Sequence, residues 1–476
     1  MRKYLTWGYL IIICTILPLY MKEGYYRLGE GKGTLYLIIS SAFALLLILF
    51  ENKTLFAGAS CEGYVFFSAA AFLFSNVLSF LSSIDKKVSF FGLEGWRNGF
   101  LTILLMLFFM AVFSAQEIFS KYILSAILIT PTFEFVIGIL GRFGIYPIQI
   151  ANRSDPFVAT IGNINWYVGF LSVFVPVGIG LCYTEKLYSK TFFLLCVYEI
   201  LGIVAILTQG SDSGALILLG SFILLLFRSL GSRKNFLKMA VQIFILGLSM
   251  ETVDILMLLF GHLYSYQDNL LISACSGFKG LILMAAAFFL YRLSRLFEEI
   301  NGRWRGKLFT EILLVAAFAG AAFAGYMFYK TFSYNFGNGR GLIWSISFDM
   351  FNTLSPWRKL VGVGQDGFFG YAYSAPEIRD SLLNTLPGNK LTNAHCEILT
   401  ILIERGFLGV ITYLFFISTV LCEFFKNKKE RAATICALPV IAYFLNSLVS
   451  FPTVVSTPYL MLVIGIGLSC CRKDVT

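Results

Sequence analysis

The sequence predicts an all-α fold, a polytopic membrane helix bundle of about 14 spans with one large extracellular loop containing short helices. Three observations carry that expectation. Of the 476 residues 58% are hydrophobic and 13% charged, with a mean hydropathy of +0.78, against roughly 45–50% and about 25% in soluble domains. The apolar runs are continuous, as in "LIISSAFALLLILF", and do not alternate, which selects helices over barrel strands. The connections between runs are short, with one exception near the C-terminal third.

In chain order the runs lie at about 4–20, 34–50, 63–82, 99–116, 121–140, 164–183, 191–207, 213–228, 239–260, 271–290, 309–328, 405–424, 432–450 and 457–470. The first, "MRKYLTWGYLIIICTILPLY", has the basic start of a signal peptide but no small-x-small cleavage site, so it reads as an uncleaved span. With a cytoplasmic N-terminus, "RSLGSRKNFLK", "YRLSRLFEEINGRWRGK", "FKNKKER" and the tail "CRKDVT" all fall inside, as the positive-inside rule requires. The chain is then a single multi-pass domain, 1–476, of the cell membrane, with both termini cytoplasmic. Its net charge of +10 is a topology signal and implies no nucleic acid partner. The ten cysteines form no CxxC pattern, and no Gly-rich phosphate loop or GxSxG elbow is present, so neither a metal nor a cofactor is expected.

The exception is about 329–404, a long outer segment rich in Trp, Phe, Tyr and Gly. Leu342, Ile343, Ile346, Met350 and Phe351 mark an amphipathic helix, ended by Ser355-Pro356. "VGVGQDGFFG" follows with the conformational freedom of a tight, backbone-approaching loop.

From about Thr160 to the C-terminus the motifs resemble, in order and spacing, the O-antigen ligase and O-antigen polymerase superfamily. "TIGNINWYVGFLSVFVPVGIG" is similar to its Gly-Asn-x-Asn entry to a span, and "LTQGSDSGALILLGSFILLL" to its short outer turn. "GRGLIWSISFDMF" with "VGVGQDGF" resembles the start of its large outer loop. "NAHCEILTILIERGFLG" resembles the His-x-x-x-Leu signature ending in Glu-x-Gly-x-x-Gly. "SFFGLEGWRNGF", in the second outer loop, extends the resemblance. It implies a transferase that moves a glycan from an undecaprenyl-diphosphate carrier to a glycan or lipid acceptor at the outer face. Polymerase and ligase both remain open.

The resemblance puts His395 in the catalytic position. With Thr392 or Asn393 as N-cap, His395 falls in the first turn of the next helix, where exposed N–H groups and the helix dipole disfavour an imidazolium. A neutral ring can take the proton of a sugar hydroxyl; the alternative is a loop-capping hydrogen bond. Arg340 matches an arginine that grips the lipid diphosphate, for which a guanidinium fork is well shaped. Glu404 and Arg405 stand at the membrane entry, with Glu397 on a similar face, and are candidates for substrate contact or interfacial ion pairing. The family's basic residue in the short turn is replaced here by Asp212. Either Asp212 holds a divalent cation or another arginine supplies the charge. Arg153 is the expected one, because its loop runs into Gly162, Asn163 and Asn165, the two asparagines being further substrate-binding candidates.

Glu134, Glu199, Glu251, Asp254 and Lys279 fall within spans, where each costs on the order of 2.5–3.5 kcal/mol unless partnered. They would line a carrier groove or a proton path, and Glu251 and Lys279, at similar depth, are expected to pair. A proton path would suit the rival reading, a polysaccharide or lipid-linked oligosaccharide flippase. Such a transporter should show two related halves and little outer loop; this chain has the reverse.

Overall fold

The computed structural model describes residues 2–51, 63–116, 121–154, 156–230, 232–266, 269–296, 333–385, 390–427 and 431–471. The expected span 309–328 and the first residues of the outer segment lie outside them. The fold is all-helical; the described strands are one two-residue antiparallel pair, Phe157–Val158 with Gly162–Asn163.

Among the described residues six helices are long and apolar enough to cross a membrane: Leu28–Phe50, Gly63–Leu81, Ile164–Thr184, Lys190–Thr208, Arg233–Leu263 and Glu397–Lys426. Five further apolar helices, Lys3–Leu19, Phe100–Ser114, Gly214–Ser229, Arg431–Ser447 and Thr457–Cys470, are shorter. The last has 14 residues, which at 1.5 Å each gives about 21 Å against a hydrocarbon core of about 30 Å. The Lys121–Arg142 helix carries an internal Pro131.

The expected span 271–290 is broken. A short helix, Leu270–Cys275, gives way to Lys279–Leu296 through Gly277 and Phe278, both with left-handed φ. The N–H groups exposed by the break are taken by carboxylates of the neighbouring Arg233–Phe260 helix. Phe278 donates to Asp254 at 3.0 Å and Leu281 to Glu251 at 3.2 Å. These two acids therefore cap a broken helix, as anions at a helix start do. The expected Glu251–Lys279 pair does not form, because the break carries Lys279 outward, where its ammonium donates to Ser273 O at 2.8 Å. Glu134, also buried, accepts the backbone N–H of Thr160 and its hydroxyl.

Two hydrophobic cores result. The larger one binds the apolar helices together. The smaller belongs to the long segment before residue 404 and holds Ile346, Met350, Leu354, Val363, Phe368, Leu382 and Leu391. The amphipathic helix is Phe336–Thr353; Ile346 and Met350 are buried, and Leu342, Ile343 and Phe351 pack against them. Ser355 ends it by capping the next helix, Pro356–Val361.

The connections sort to two ends of the bundle. At one end Tyr25 N–H meets Ala151 O, Asn98 reaches Pro452 O, Ser265 N–H meets Arg142 O, and Leu270 N–H meets the Asp212 carboxylate. At the other, Lys238 reaches Glu185 O at 2.8 Å, Arg431 pairs with Glu185 at 3.1 Å, and Arg228 reaches Phe424 O. Each contact joins segments that the charge pattern assigns to one side of a bilayer. The exposed residues Asn384 and Lys234 belong to opposite ends. In intact cells whose native thiols are silent, Asn384→Cys should react with an impermeant thiol reagent and Lys234→Cys should not. Labelling of both or of Lys234→Cys alone would break this partition.

Candidate functional site

The site is built on a broken helix. Glu397–Lys426 runs into the bundle but is interrupted at Gly406, whose φ of 64° and ψ of −168° are not helical. A break of this kind strands backbone carbonyls that are buried away from water. The glycine loop takes them: Val363 N–H donates to Ile403 O at 3.1 Å and Gly364 N–H to Glu404 O at 2.9 Å, and the Ser79 hydroxyl also donates to Glu404 O at 2.6 Å. The approach is so close that a Cβ on Gly362 would lie 2.1 Å from Glu404 O, and one on Gly406 would lie 2.3 Å from Leu360 C. Both glycines also sit at positive φ, which leaves no alternative residue at either position.

Residues after these glycines tie the loop to a third segment. Asp366 accepts the N–H groups of Leu93 at 2.8 Å and Asn98 at 2.9 Å. Gln365 donates to Asn76 O at 2.7 Å and accepts from the Ser89 hydroxyl at 2.8 Å. Burial pushes the Asp366 carboxyl above the ordinary carboxylate range, against the pull of the two N–H groups and of Arg405 and Arg97. The "SFFGLEGWRNGF" stretch is thereby part of the same assembly. Arg97 in turn grips Glu30, with Nε 3.0 Å from both carboxylate oxygens.

His395 lies just ahead of the helix. The expected place in its first turn is corrected: the helix starts at Glu397 with Cys396 as N-cap, and His395 takes a left-handed conformation with φ of 48°. Asn393 sets this up, since its side-chain oxygen accepts His395 N–H at 2.9 Å in an Asx turn. Ala394 N–H donates to Thr400 Oγ1 at 3.1 Å. The ring is held edge-on against Phe451 at 5.1 Å, and Phe451 packs on Trp96 and Trp96 on Trp166, giving an aromatic ladder from His395 to the Ile164–Thr184 helix. Burial and the neighbouring Arg340 cation push the His395 pKa down to about 4. The ring is neutral at physiological pH, as the sequence implied, but for a different physical reason.

Arg340 sits near the start of the Phe336–Thr353 helix and gives one guanidinium N–H to Gly337 O at 2.9 Å. Its Nε is buried without a hydrogen-bond partner among the described residues. Burial holds the guanidinium pKa below its ordinary value, and Asp212 acts against that. Asp212, exposed in its turn, accepts Leu270 N–H at 2.9 Å. Arg340 thus interacts electrostatically with both His395 and Asp212, which come from distant parts of the chain.

Glu404 and Arg405 are buried, 3% and 6% exposed, and line a small cavity together with Asp366, Asn393, Thr400 and Phe451, beside the turn that holds His395. Arg405 lies over the Phe72 ring and interacts electrostatically with the carboxyls of Asp366, Glu397 and Glu404. The helix break turns them inward. Asn163 caps the Ile164–Thr184 helix by accepting Asn165 N–H at 2.9 Å, and Asn165 is half-buried. Arg153 is not brought to Arg340. It stacks on Tyr146 at 3.9 Å in a separate cavity whose lining includes neither His395 nor Arg340. Asp366 and Phe451 were not singled out from sequence; an acid between glycines and an aromatic residue in a short connection are weak signals alone.

Compared with models of protein families and with curated proteins, the chain matches none.

With only two histidines in the chain, His262→Gln leaves His395 as the sole imidazole. In that background, NMR of ¹⁵N-histidine-labelled protein should give a pKa near 4 for His395. Arg340→Gln should raise it, by removing a repelling cation, yet leave it below the ordinary 6.5 because burial persists. A value at or above 6.5 in the unsubstituted protein would contradict the buried, cation-facing environment.

Proposed function

We propose that this chain is a membrane-embedded glycosyltransferase that moves a glycan from an undecaprenyl-diphosphate carrier to a sugar hydroxyl, on a glycan or lipid acceptor, at the outer face of the cell membrane. It would act as a polysaccharide polymerase or ligase of the O-antigen ligase type. In this reading the chain crosses the bilayer about 14 times, with both termini cytoplasmic and 329–404 forming the outer loop. The observation that carries the proposal is a neutral His395 beside an Arg340 guanidinium whose buried Nε has no hydrogen-bond partner among the described residues.

The chemistry needs two things of the protein. The acceptor hydroxyl attacks the anomeric carbon as the bond to the diphosphate breaks; its proton passes to His395 and the diphosphate leaves with the added negative charge. One in-line displacement inverts the anomeric carbon. Arg340 is suited to hold the leaving group through a charge-assisted fork, and an oxyanion there would satisfy its buried N–H. A bound diphosphate would also offset the cation that depresses His395, so the base strengthens once the donor is in place. No nucleotide is required, since the diphosphate supplies the driving force.

His395→Ala should lower transfer by about 10²–10⁴-fold, the usual contribution of a general base, with insertion and expression near normal. Lipid-linked glycans extracted from cells carrying only this variant should accumulate, single repeat units for a polymerase and unattached polymer for a ligase. Transfer within about threefold of the parent, or no change in lipid-linked glycans, would refute the assignment.

The pH profile gives a second check. The base works only when neutral, so activity is lost as pH falls through its pKa. The acid limb of kcat/KM, which reports free enzyme, should lie near pH 4, and that of kcat should lie higher because the bound donor opposes Arg340. Coincident limbs near 6.5 would point to a different base.

A further inference from the structure

A second cavity, of about 260 Å³, opens at the same end of the bundle and is separate from the His395 site. Its walls come from the end of the Lys121–Arg142 helix, the following segment through Ser154, the strand Phe157–Val158, Tyr25 and Ser265. Two guanidinium groups, Arg142 and Arg153, line it together with the Ser154 and Ser265 side chains, and among the described lining residues there is no Asp or Glu. Both cations are set by aromatic rings. Arg142, only 3% exposed, lies over Tyr266 at 4.7 Å and gives one N–H to Gln209 O. Arg153 lies over Tyr146 at 3.9 Å.

The rim has the opposite character. Ile145, Tyr146 and Ile148 line the cavity and are 51%, 44% and 41% exposed. Such a cluster is unfavourable against water but ordinary at the boundary between headgroups and acyl chains, where tyrosine is enriched. A ligand that fits both parts is anionic at one end and apolar at the other. The volume is below the roughly 300–1,000 Å³ of sites that enclose drug-sized ligands. It has room for a headgroup, with the apolar part left on the rim and in the bilayer.

The geometry points to a binding site for the phosphate group of a membrane lipid, with Arg142 and Arg153 as the anion contacts and Ile145, Tyr146 and Ile148 as the apolar seat. Guanidinium forks match phosphate oxygens, and a phosphate supplies the negative charge that the cavity lacks. The site adjoins the 209–213 turn: Arg142 touches it at Gln209 O, and Asp212 within it interacts with Arg340. The inference rests on the chain lying in a bilayer and not on the transferase reading, so either can fail without the other.

The test is lipid retention by the full-length chain in detergent micelles, read by native mass spectrometry with phosphatidylglycerol, a polyprenyl phosphate, or neutral diacylglycerol added. The two phosphate lipids should be retained and diacylglycerol should not. Arg153→Gln, at an exposed residue, should weaken retention by about tenfold or more with an unchanged thermal midpoint. Ile145→Ser with Ile148→Ser should weaken it with both cations intact. Inorganic phosphate at matched concentration should not displace the lipid. Equal retention by Arg153→Gln, retention of diacylglycerol, or full displacement by inorganic phosphate would each overturn the proposal, the last by assigning the cavity to a soluble phosphate.

Discussion

The assembly around the broken Glu397–Lys426 helix depends on the capture of two carbonyls. Where the helix breaks at Gly406, Ile403 O and Glu404 O lose their helical partners inside a buried region, and each unmade bond would cost about 1–3 kcal/mol. Val363 and Gly364 donate the missing N–H groups in a short extended pairing, and Ser79 adds a hydroxyl. That pairing fixes the depth of the 362–367 loop against the bundle. It also explains why two separate glycine motifs are needed, because each backbone presses against the other with no room for a Cβ. Asp366, Gln365 and the smaller hydrophobic core then follow from a loop already clamped at one end.

Charge is distributed unevenly around this clamp. Arg405 interacts electrostatically with three carboxyls. Arg340 interacts with the single carboxylate of Asp212, across a turn, and like Arg405 keeps a buried Nε without a hydrogen-bond partner among the described residues. His395 is oriented by Phe451 and the Asx turn of Asn393. A cation with spare donors beside a neutral imidazole can hold an anion and accept a proton at once. That pairing is what displacement of a diphosphate by a hydroxyl requires.

Much of this was legible in the sequence, and the remainder was not for identifiable reasons. Long apolar runs located the helices, and the period of Leu342, Ile346 and Met350 located the loop helix, because burial of an apolar face depends on local spacing. The break at Gly277 and Phe278 leaves no mark in the sequence because the apolar run continues through it; only the partnering of Glu251 and Asp254 with its N–H groups reveals it. Lys279 was misplaced for the same reason. Arg153 was expected near the diphosphate from its proximity in sequence to Asn163, but chain proximity does not fix direction, and Tyr146 draws it to another cavity. Phe451 is invisible to motif reading since its role exists only when four distant segments meet.

The account stands on Arg340 and His395 sharing one anionic ligand, and a single structure would test that most directly. A cryo-electron microscopy map of the chain in a lipid nanodisc with an undecaprenyl-diphosphate sugar should place the diphosphate within hydrogen-bonding distance of the Arg340 guanidinium, with the anomeric carbon facing the His395 ring. A diphosphate seated between Arg142 and Arg153, with the Arg340 and His395 region unoccupied at saturating donor, would contradict it.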